Sequence, residues 1–298
     1  MAPTRRRLWP VAGQLCSPAA APSNQPTGIA LSTLLILKLT VTPLLVAGMS
    51  LVARRFGPTV GGLLMGLPWM TGPVLFFLAL ERGDVYLAET ARGALLAVPP
   101  MAGFALAYTA VARYCNWPLS LAAAAAAFAA SGWLISGFAA PAGIVALSGV
   151  AALLATHFII ARPSRVTVAP SIPWWDIPAR MLATAILVSF IAFSSDILGP
   201  TLSGIVSSYP AILTVVGVFT HSRWGLAAVT ALLRGVMLSL IGFVAFFWVV
   251  ATLAPRLGLV ATYLAAAVAG LSLNAGLLAL NRWRTRAAGQ RLAGTRSL

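Results

Sequence analysis

Long apolar stretches separated by short polar breaks run through most of the chain. A transmembrane helix needs about 20 mostly apolar residues, and about nine stretches of the sequence are of that kind. They cover residues 30–53, 59–80, 87–113, 118–138, 141–161, 178–195, 200–220, 226–253 and 257–281. The pattern therefore predicts an all-α polytopic membrane protein with about nine transmembrane helices.

One stretch of the sequence occurs twice. Residues 57–68 read GPTVGGLLMGLP and residues 199–210 read GPTLSGIVSSYP, an offset of 199 minus 57, or 142 positions. The same offset gives 12 identities over the 48 positions 57–104. Chance similarity between apolar helices explains shared leucines, but not Gly-Pro-Thr, a proline and Arg-Gly at one offset, so we predict an internal duplication. The identities outside the copied stretch include Gly83 on Gly225, Arg92 on Arg234 and Phe104 on Phe246.

The two copies are predicted to have opposite orientations in the membrane. Five predicted spans separate their starting points, and an odd number of crossings turns the second copy upside down. The prediction depends on the break before Pro141. Without that break the number of spans between the copies would be even, and the repeats would be parallel. We expect two inverted-topology four-helix repeats and a connecting helix, a common build of secondary transporters. The segments are a disordered tail at 1–28, repeat 1 at 29–138, a connector helix and polar loop at 139–176, repeat 2 at 177–281 and a basic tail at 282–298.

Composition and charge agree with a membrane protein. Hydrophobic residues make up 60% of the chain and charged residues only 8%, against about 25% charged in soluble domains. The net charge of +15 comes from cations placed singly or in pairs between apolar runs and at the termini. That distribution favours the lipid bilayer over nucleic acid as partner. The positive-inside rule predicts an outer N-terminus and a cytoplasmic C-terminus, in a bacterial inner membrane. The arginines between spans that it assigns to the cytoplasmic side include Arg54, Arg113, Arg162, Arg180 and Arg223. A homodimer stays open.

Motifs for catalysis or metal binding are missing from the sequence. It has no phosphate-binding Gly-Lys-Ser loop, no paired histidines at metal spacing and no nucleophile elbow. Cys16 and Cys115 suggest neither a disulfide framework nor a metal site. None of the five acidic residues falls at the centre of a predicted span, which disfavours an antiporter built around a buried acid. We therefore expect no enzyme, no cofactor and no metal.

The duplicated stretch supplies most of the candidate substrate-binding residues. Its proline interrupts a helix in each half, and paired broken helices are a sequence indicator of a transporter site. The alternative is close helix packing by small residues around a proline kink, and the sequence leaves both open. The candidates are Gly62, Pro68 and Thr71 in the first copy, and Gly204, Ser207, Ser208 and Pro210 in the second.

Two arginines complete the candidate site. Arg92 and Arg234 lie five to eight residues inside the third helix of each unit. Such arginines usually extend to the lipid headgroups, and the alternative is that they face the bundle and hold an anionic group.

The glycines and proline of 62–68, Glu81-Arg82-Gly83 and Arg92-Gly93 resemble the small GlpM-like membrane proteins. The resemblance covers 57–110 and, less closely, 199–252. It implies a fused pair of such units and does not identify a substrate. From the sequence we expect a transporter of a small polar or anionic solute, with its site at the interface of the inverted repeats. The alternative is a non-transporting membrane scaffold or assembly factor, and a lipid-handling protein is third.

Overall fold

The computed structural model describes residues 28–66, 68, 72, 75–76, 79–80, 83–137, 140–163, 174–197 and 209–294. These residues form α-helices joined by turns, and no strand occurs among them. In chain order the helices are α1 Gly28–Phe56, α2 Pro58–Met65, α3 Asp84–Leu96, α4 Val98–Val111, α5 Trp117–Ile135, α6 Ala142–Ile159, α7 Asp176–Ile197, α8 Ala211–Leu257 and α9 Leu259–Gly294.

Local chemistry explains where several helices begin. Gly57 has φ +89°, a conformation that residues with a Cβ rarely adopt, and Pro58 follows it at the first helical position of α2. Asp84 opens α3, where its negative charge is favourable beside the unpaired N–H groups of the helix start. Pro141 precedes α6, which the structure separates from α5. The sequence break before Pro141 is therefore a break between helices.

The two halves interrupt their helices at corresponding positions. Gly83 has φ +84° and ψ 174°, and Gly225, which lies 142 positions later, has φ +75° and ψ −173°. In α8 this glycine is not helical and divides the 47 residues into two helical parts, 211–224 and 226–257. Helices α5 and α9 also begin 142 positions apart, at Trp117 and Leu259. The sequence offset thus reappears in the backbone.

Five helical segments in the described part of the chain are long and apolar enough to cross a membrane, and α3 and α4 together form one of them. The fold is therefore that of an all-helical membrane protein, but the structure does not establish nine separate spans. Predicted spans 200–220 and 226–253 meet at Gly225, whose φ and ψ are not helical, so α8 consists of two helical parts, 211–224 and 226–257. Its 47 residues exceed twice the roughly 20 that one crossing needs. The five spans are 84–111, 117–135, 142–159, 211–257 and 259–280.

Helix α8 forms the centre of the bundle. It packs against α2, α9, α3 and α6, and 56% of its most apolar window is buried, against 17% for α9. Its side chains Leu233, Met237 and Phe247 are almost fully buried in the main core cluster. Helix α1 packs against α7, and α4 packs against α5. The outer helices expose leucines and tryptophans, as expected of lipid-facing surfaces.

Five arginines lie at one end of the bundle, which we call the arginine end. Arg54 near the end of α1 contacts Asp176 at the start of α7, so these two packed helices meet there with opposite chain directions. Arg113, just after α4, shares a cavity with Leu226, just after the break in α8. The end of α4 therefore lies beside the start of the second part of α8. The arginines of this end are Arg54, Arg113, Arg162, Arg180 and Arg223.

Candidate functional site

Pro68 lies in a tightly packed segment against the second half of the chain. Its carbonyl accepts a hydrogen bond from the N–H of Gly72 at 3.0 Å. The carbonyl of Gly72 in turn accepts one from the hydroxyl of Tyr263 on α9 at 3.1 Å. A Cβ at Gly72 would touch the ring of Phe246 on α8 at 3.8 Å. Gly72, four residues after Pro68, therefore lies beside aromatic side chains of α8 and α9.

The second proline segment has the reciprocal surroundings. Pro210 precedes α8, and its carbonyl accepts a hydrogen bond from the N–H of Thr214 at 2.9 Å. The ring of Tyr209 packs edge-on against Phe104 on α4 and Phe128 on α5, at centroid distances of 6.0 and 5.4 Å. The contacts at the first proline are thus with α8 and α9, and those at the second are with α4 and α5. In each case these helices belong to the third and fourth predicted spans of the opposite half.

The remaining candidates of the duplicated stretch are less fully described. Gly62 lies within α2, and the neighbouring Gly66 packs so closely on Ser239 of α8 that a Cβ there would clash. The hydroxyl of Ser239 donates to the carbonyl of Leu63 in the same contact. Close backbone approach is therefore one clear purpose of these small residues. Thr71, Gly204, Ser207 and Ser208 lie outside the described residues.

Arg234 holds the end of helix α6. Its guanidinium donates to the carbonyl of His157 at 2.6 Å and to the carbonyl of Ile160, and it also lies 3.1 Å from Nε2 of His157. The last carbonyls of a helix carry partial negative charge and lack partners within the helix, so a cation is stabilising there. The sequence left lipid headgroups and a substrate anion open as its partners, and the contacts that the structure shows for this guanidinium are with the end of α6.

Arg92, the counterpart of Arg234, has different surroundings. It lies on α3 between the buried residues Ala91 and Leu95. Its Nε is buried and has no hydrogen-bond partner within the described part of the molecule. The equivalence seen in the sequence therefore does not extend to the contacts of the two guanidinium groups.

A cavity of about 340 Å³ opens at the arginine end, between α4, α6 and α8. The side chains of Thr109 and Thr230 are buried, whereas Arg113 and Arg162 are exposed. Ile160, whose carbonyl is bound by Arg234, also lines it. In the sequence, Arg113 and Arg162 are recognisable only as charges that set orientation, because their proximity depends on how the helices pack. The lining residues are Thr109, Arg113, Ile160, Ala161, Arg162, Pro163, Leu226, Ala227 and Thr230.

A tyrosine and a histidine connect α4 to α8 near this cavity. The hydroxyl of the buried Tyr108 lies 3.2 Å from Nδ1 of His221, and the two rings are 5.8 Å apart. Tyr108 directly precedes the cavity residue Thr109. This polar contact fixes the relative position of the two helices whose ends form the cavity.

A charge cluster lies elsewhere at the arginine end. Asp176 is fully buried, and its Oδ2 accepts hydrogen bonds from Arg54 and, at 2.8 Å, from Nε of Arg180. Nε of Arg223 lies 3.7 Å from Oδ1 of the same carboxylate. Three guanidinium groups against one carboxylate leave a net charge of 3 − 1 = +2.

Only one part of this cluster has a local sequence signal. Asp176 and Arg180 are four residues apart, a spacing at which opposite charges meet on a helix. Arg54 and Arg223 join from α1 and α8, and no local spacing predicts such a meeting.

Within the described residues, no group of three or more His, Cys, Asp or Glu side chains is placed to hold a metal ion. No protein-family model, curated protein or solved structure matches the chain. The candidate chemistry therefore rests on the arginines, threonines and cavity of this molecule alone.

Proposed function

We propose that the protein is a secondary transporter of a small anionic solute, with the cavity at the arginine end as part of its solute route. The observation that carries the proposal is a 340 Å³ space lined by Arg113, Arg162 and two threonines. Solute sites in proteins begin at about 300 Å³, so a small molecule fits. At an effective dielectric constant near 20, a guanidinium attracts an anion about 4 Å away by roughly 4 kcal/mol.

The proposed build is two inverted repeats joined by α6. The opposite directions of α1 and α7, the meeting of the end of α4 with the start of 226–257 and the matched breaks at Gly83 and Gly225 support it. The cavity then lies between the third helices of the two repeats and their connector. A site at the repeat interface is the usual arrangement in such carriers. The proposed location is a bacterial inner membrane, with the arginine end and the C-terminus in the cytoplasm.

A second candidate function, a non-transporting membrane scaffold, is supported by the aromatic packing around both prolines. Phe246 and Tyr263 lie beside the first segment, and Phe104 and Phe128 pack against the second. A purely structural interface has filled contacts of this kind. The two functions differ in one measurable property, the movement of a solute across a sealed bilayer.

The test is uptake into proteoliposomes that contain the purified full-length chain. Phosphate, chloride and small mono- and dicarboxylates are offered beside neutral polar solutes. We expect at least one anion to enter faster than into protein-free vesicles, and the variant Arg113→Gln/Arg162→Gln to lose most of that rate. Arg55→Gln is the matched control, because Arg55 is exposed near the same end but is not among the cavity-lining residues.

Two results would contradict the carrier. One is the absence of uptake by protein that is monodisperse and unfolds cooperatively. The other is uptake that the double variant leaves unchanged.

A further inference from the structure

The cluster around Asp176 holds more positive charge than its own carboxylate can balance. Asp176 is 0% exposed, and the side chain of Arg180 beside it is 2% exposed. The side chains of Arg54 and Arg223 are 21% and 35% exposed. Buried charges are costly unless they are paired. A site with three cations and one anion in this setting therefore favours a second anion.

The chain's other acidic residues cannot supply that anion from the described part of the structure. Asp84 begins α3, and the chain from there to the end of α4 at the arginine end is 28 residues long, or about 42 Å at 1.5 Å per residue. Glu89 lies little more than one turn further along. Asp196 lies on α7, 196 − 176 = 20 positions after Asp176, or about 30 Å along the helix at 1.5 Å per residue. The loop 164–173 contains an arginine and no acidic residue. An anion at the cluster must therefore come from outside this part of the chain.

Hydrogen-bonding groups in the cluster are left without partners. Nε of Arg54 is buried and has no partner within the described residues. Oδ1 of Asp176 is equally unpaired, since Nε of Arg223 at 3.7 Å is too far for a hydrogen bond. Buried polar groups in native proteins are almost always satisfied. The unpaired Nε–H of Arg54 indicates that the cluster is incomplete without a further acceptor. The unpaired Oδ1 of Asp176 needs a donor, so a ligand that accepts hydrogen bonds and also carries an O–H group suits the cluster.

Aromatic rings hold two of the guanidinium groups in fixed positions. The guanidinium carbon of Arg180 lies 4.8 Å from the centroid of the Phe219 ring, and that of Arg223 lies 4.7 Å from the Trp175 ring. Such stacking orients the guanidinium plane and leaves its edge to donate. Two of the three nitrogens of Arg180 already donate, Nε to Asp176 at 2.8 Å and Nη1 to the hydroxyl of Ser50 at 3.3 Å. Trp175 is itself partly exposed, so the Arg223 side of the cluster faces the surroundings. Tryptophan at this position is typical of the membrane interface.

We propose that Arg54, Arg180 and Arg223 form a binding site for a phosphate group. A phosphate offers several acceptor oxygens and matches the paired N–H groups of arginine. A protonated phosphate oxygen can also donate to the unpaired oxygen of Asp176. The source is either the headgroup of an anionic lipid or free inorganic phosphate. This site differs from the cavity near Arg113, and its failure would leave the transport proposal untouched.

The test is ligand-dependent thermal unfolding of the delipidated full-length protein in an uncharged detergent. Inorganic phosphate, phosphatidylglycerol and phosphatidylcholine are titrated separately. A ligand that binds only the folded state raises the unfolding midpoint by several degrees at 100 times its dissociation constant. We expect the midpoint to rise with phosphatidylglycerol, with phosphate or with both. We expect Arg223→Gln to raise the dissociation constant of the ligand roughly tenfold, because one charge-assisted hydrogen bond is lost.

The arms of the experiment separate the two sources. A response to phosphatidylglycerol but not to phosphate identifies a lipid headgroup, and a response to phosphate identifies a site for the free ion. No response to either, or an equal response of wild type and Arg223→Gln, overturns the proposal. Arg55→Gln serves as the control for general surface charge, because Arg55 is exposed next to Arg54.

A second measurement on the wild type does not depend on a variant that folds. Phenylglyoxal modifies accessible arginines, and peptide mass spectrometry measures the modification at each position. With saturating ligand, Arg223 should become protected while Arg55 keeps its reactivity. Equal modification of Arg223 with and without either ligand would also overturn the proposal.

Discussion

Arg92 and Arg234 occupy the same position in the two halves of the chain and have different structural roles. Arg234 binds the last carbonyls of α6, whereas Nε of Arg92 has no partner among the described residues. Arg234 lies beside the end of α6, whose last carbonyls it can bind. Identity at a repeat offset therefore predicts a shared position along a helix, but not a shared partner.

Replacing Arg234 should destabilise the protein more than replacing Arg92. Arg234→Gln removes the charged donor to two carbonyls, and a hydrogen bond to a charged group contributes about 1.5–3 kcal/mol. The expected result is a lower midpoint of thermal unfolding in detergent. Arg92→Gln is the matched control and should shift the midpoint by less than half as much. A larger effect of Arg92→Gln would indicate that Arg234 does not hold α6.

At the scale of single elements, glycines in α8 and α9 set how closely these helices pack. Gly242 of α8 faces the side chain of Asn274 on α9, and a Cβ at Gly270 would lie 3.1 Å from the carbonyl of Gly242. Small residues at such contacts let two helix backbones approach within a membrane. The α8–α9 interface is therefore intolerant of added volume at these positions.

Gly242→Ala should separate α8 from α9. The new methyl group overlaps the amide of the buried Asn274, and overpacking of this kind costs about 1–3 kcal/mol. The measurement is the midpoint of thermal unfolding in detergent. Gly276→Ala is the control, since a Cβ at Gly276 on α9 meets nothing within 4 Å and alanine favours the helix by up to about 1 kcal/mol. If both substitutions had the same effect, close approach would not explain Gly242.

The sequence was a good guide to helix breaks and a poor one to helix contacts. Gly57 with Pro58, Gly83 and Pro141 mark breaks because their backbone preferences act locally. The boundary between predicted spans 200–220 and 226–253 lies at Gly225, where the structure also breaks the helix, with φ +75° and ψ −173°. The meeting of Arg54 with Asp176 had no sequence signal, because apolar helix faces of similar composition do not specify their neighbours.

For the whole molecule, the grouping of arginines has a consequence for membrane orientation. The positive-inside rule assigned Arg54, Arg113, Arg162, Arg180 and Arg223 to one side of the bilayer. The structure brings the same five to one end of the bundle. Which side of the membrane that end faces stays a prediction from charge.

Cysteine labelling in cells that express the protein tests the orientation. In a background with Cys16→Ser and Cys115→Ser, we expect a membrane-impermeant maleimide to label Arg256→Cys in intact cells. Arg55→Cys should react only after the membrane is permeabilised. Both arginines are exposed, and they lie at opposite ends of the bundle, so each serves as the control for the other. The reverse pattern would place the arginine end outside the cell.

The buried cluster makes the molecule electrically polar along the membrane normal. At the repeat offset, its three arginines correspond in the sequence to two acidic residues and one lysine, so the other copy does not repeat the threefold positive charge. An inside-negative membrane potential acts on each charge that traverses it by about 2.3 kcal/mol per 100 mV. The same potential that an energised cell maintains would therefore draw this end inward during insertion and resist its reversal. The correspondences are Arg54 with Asp196, Arg180 with Lys38 and Arg223 with Glu81.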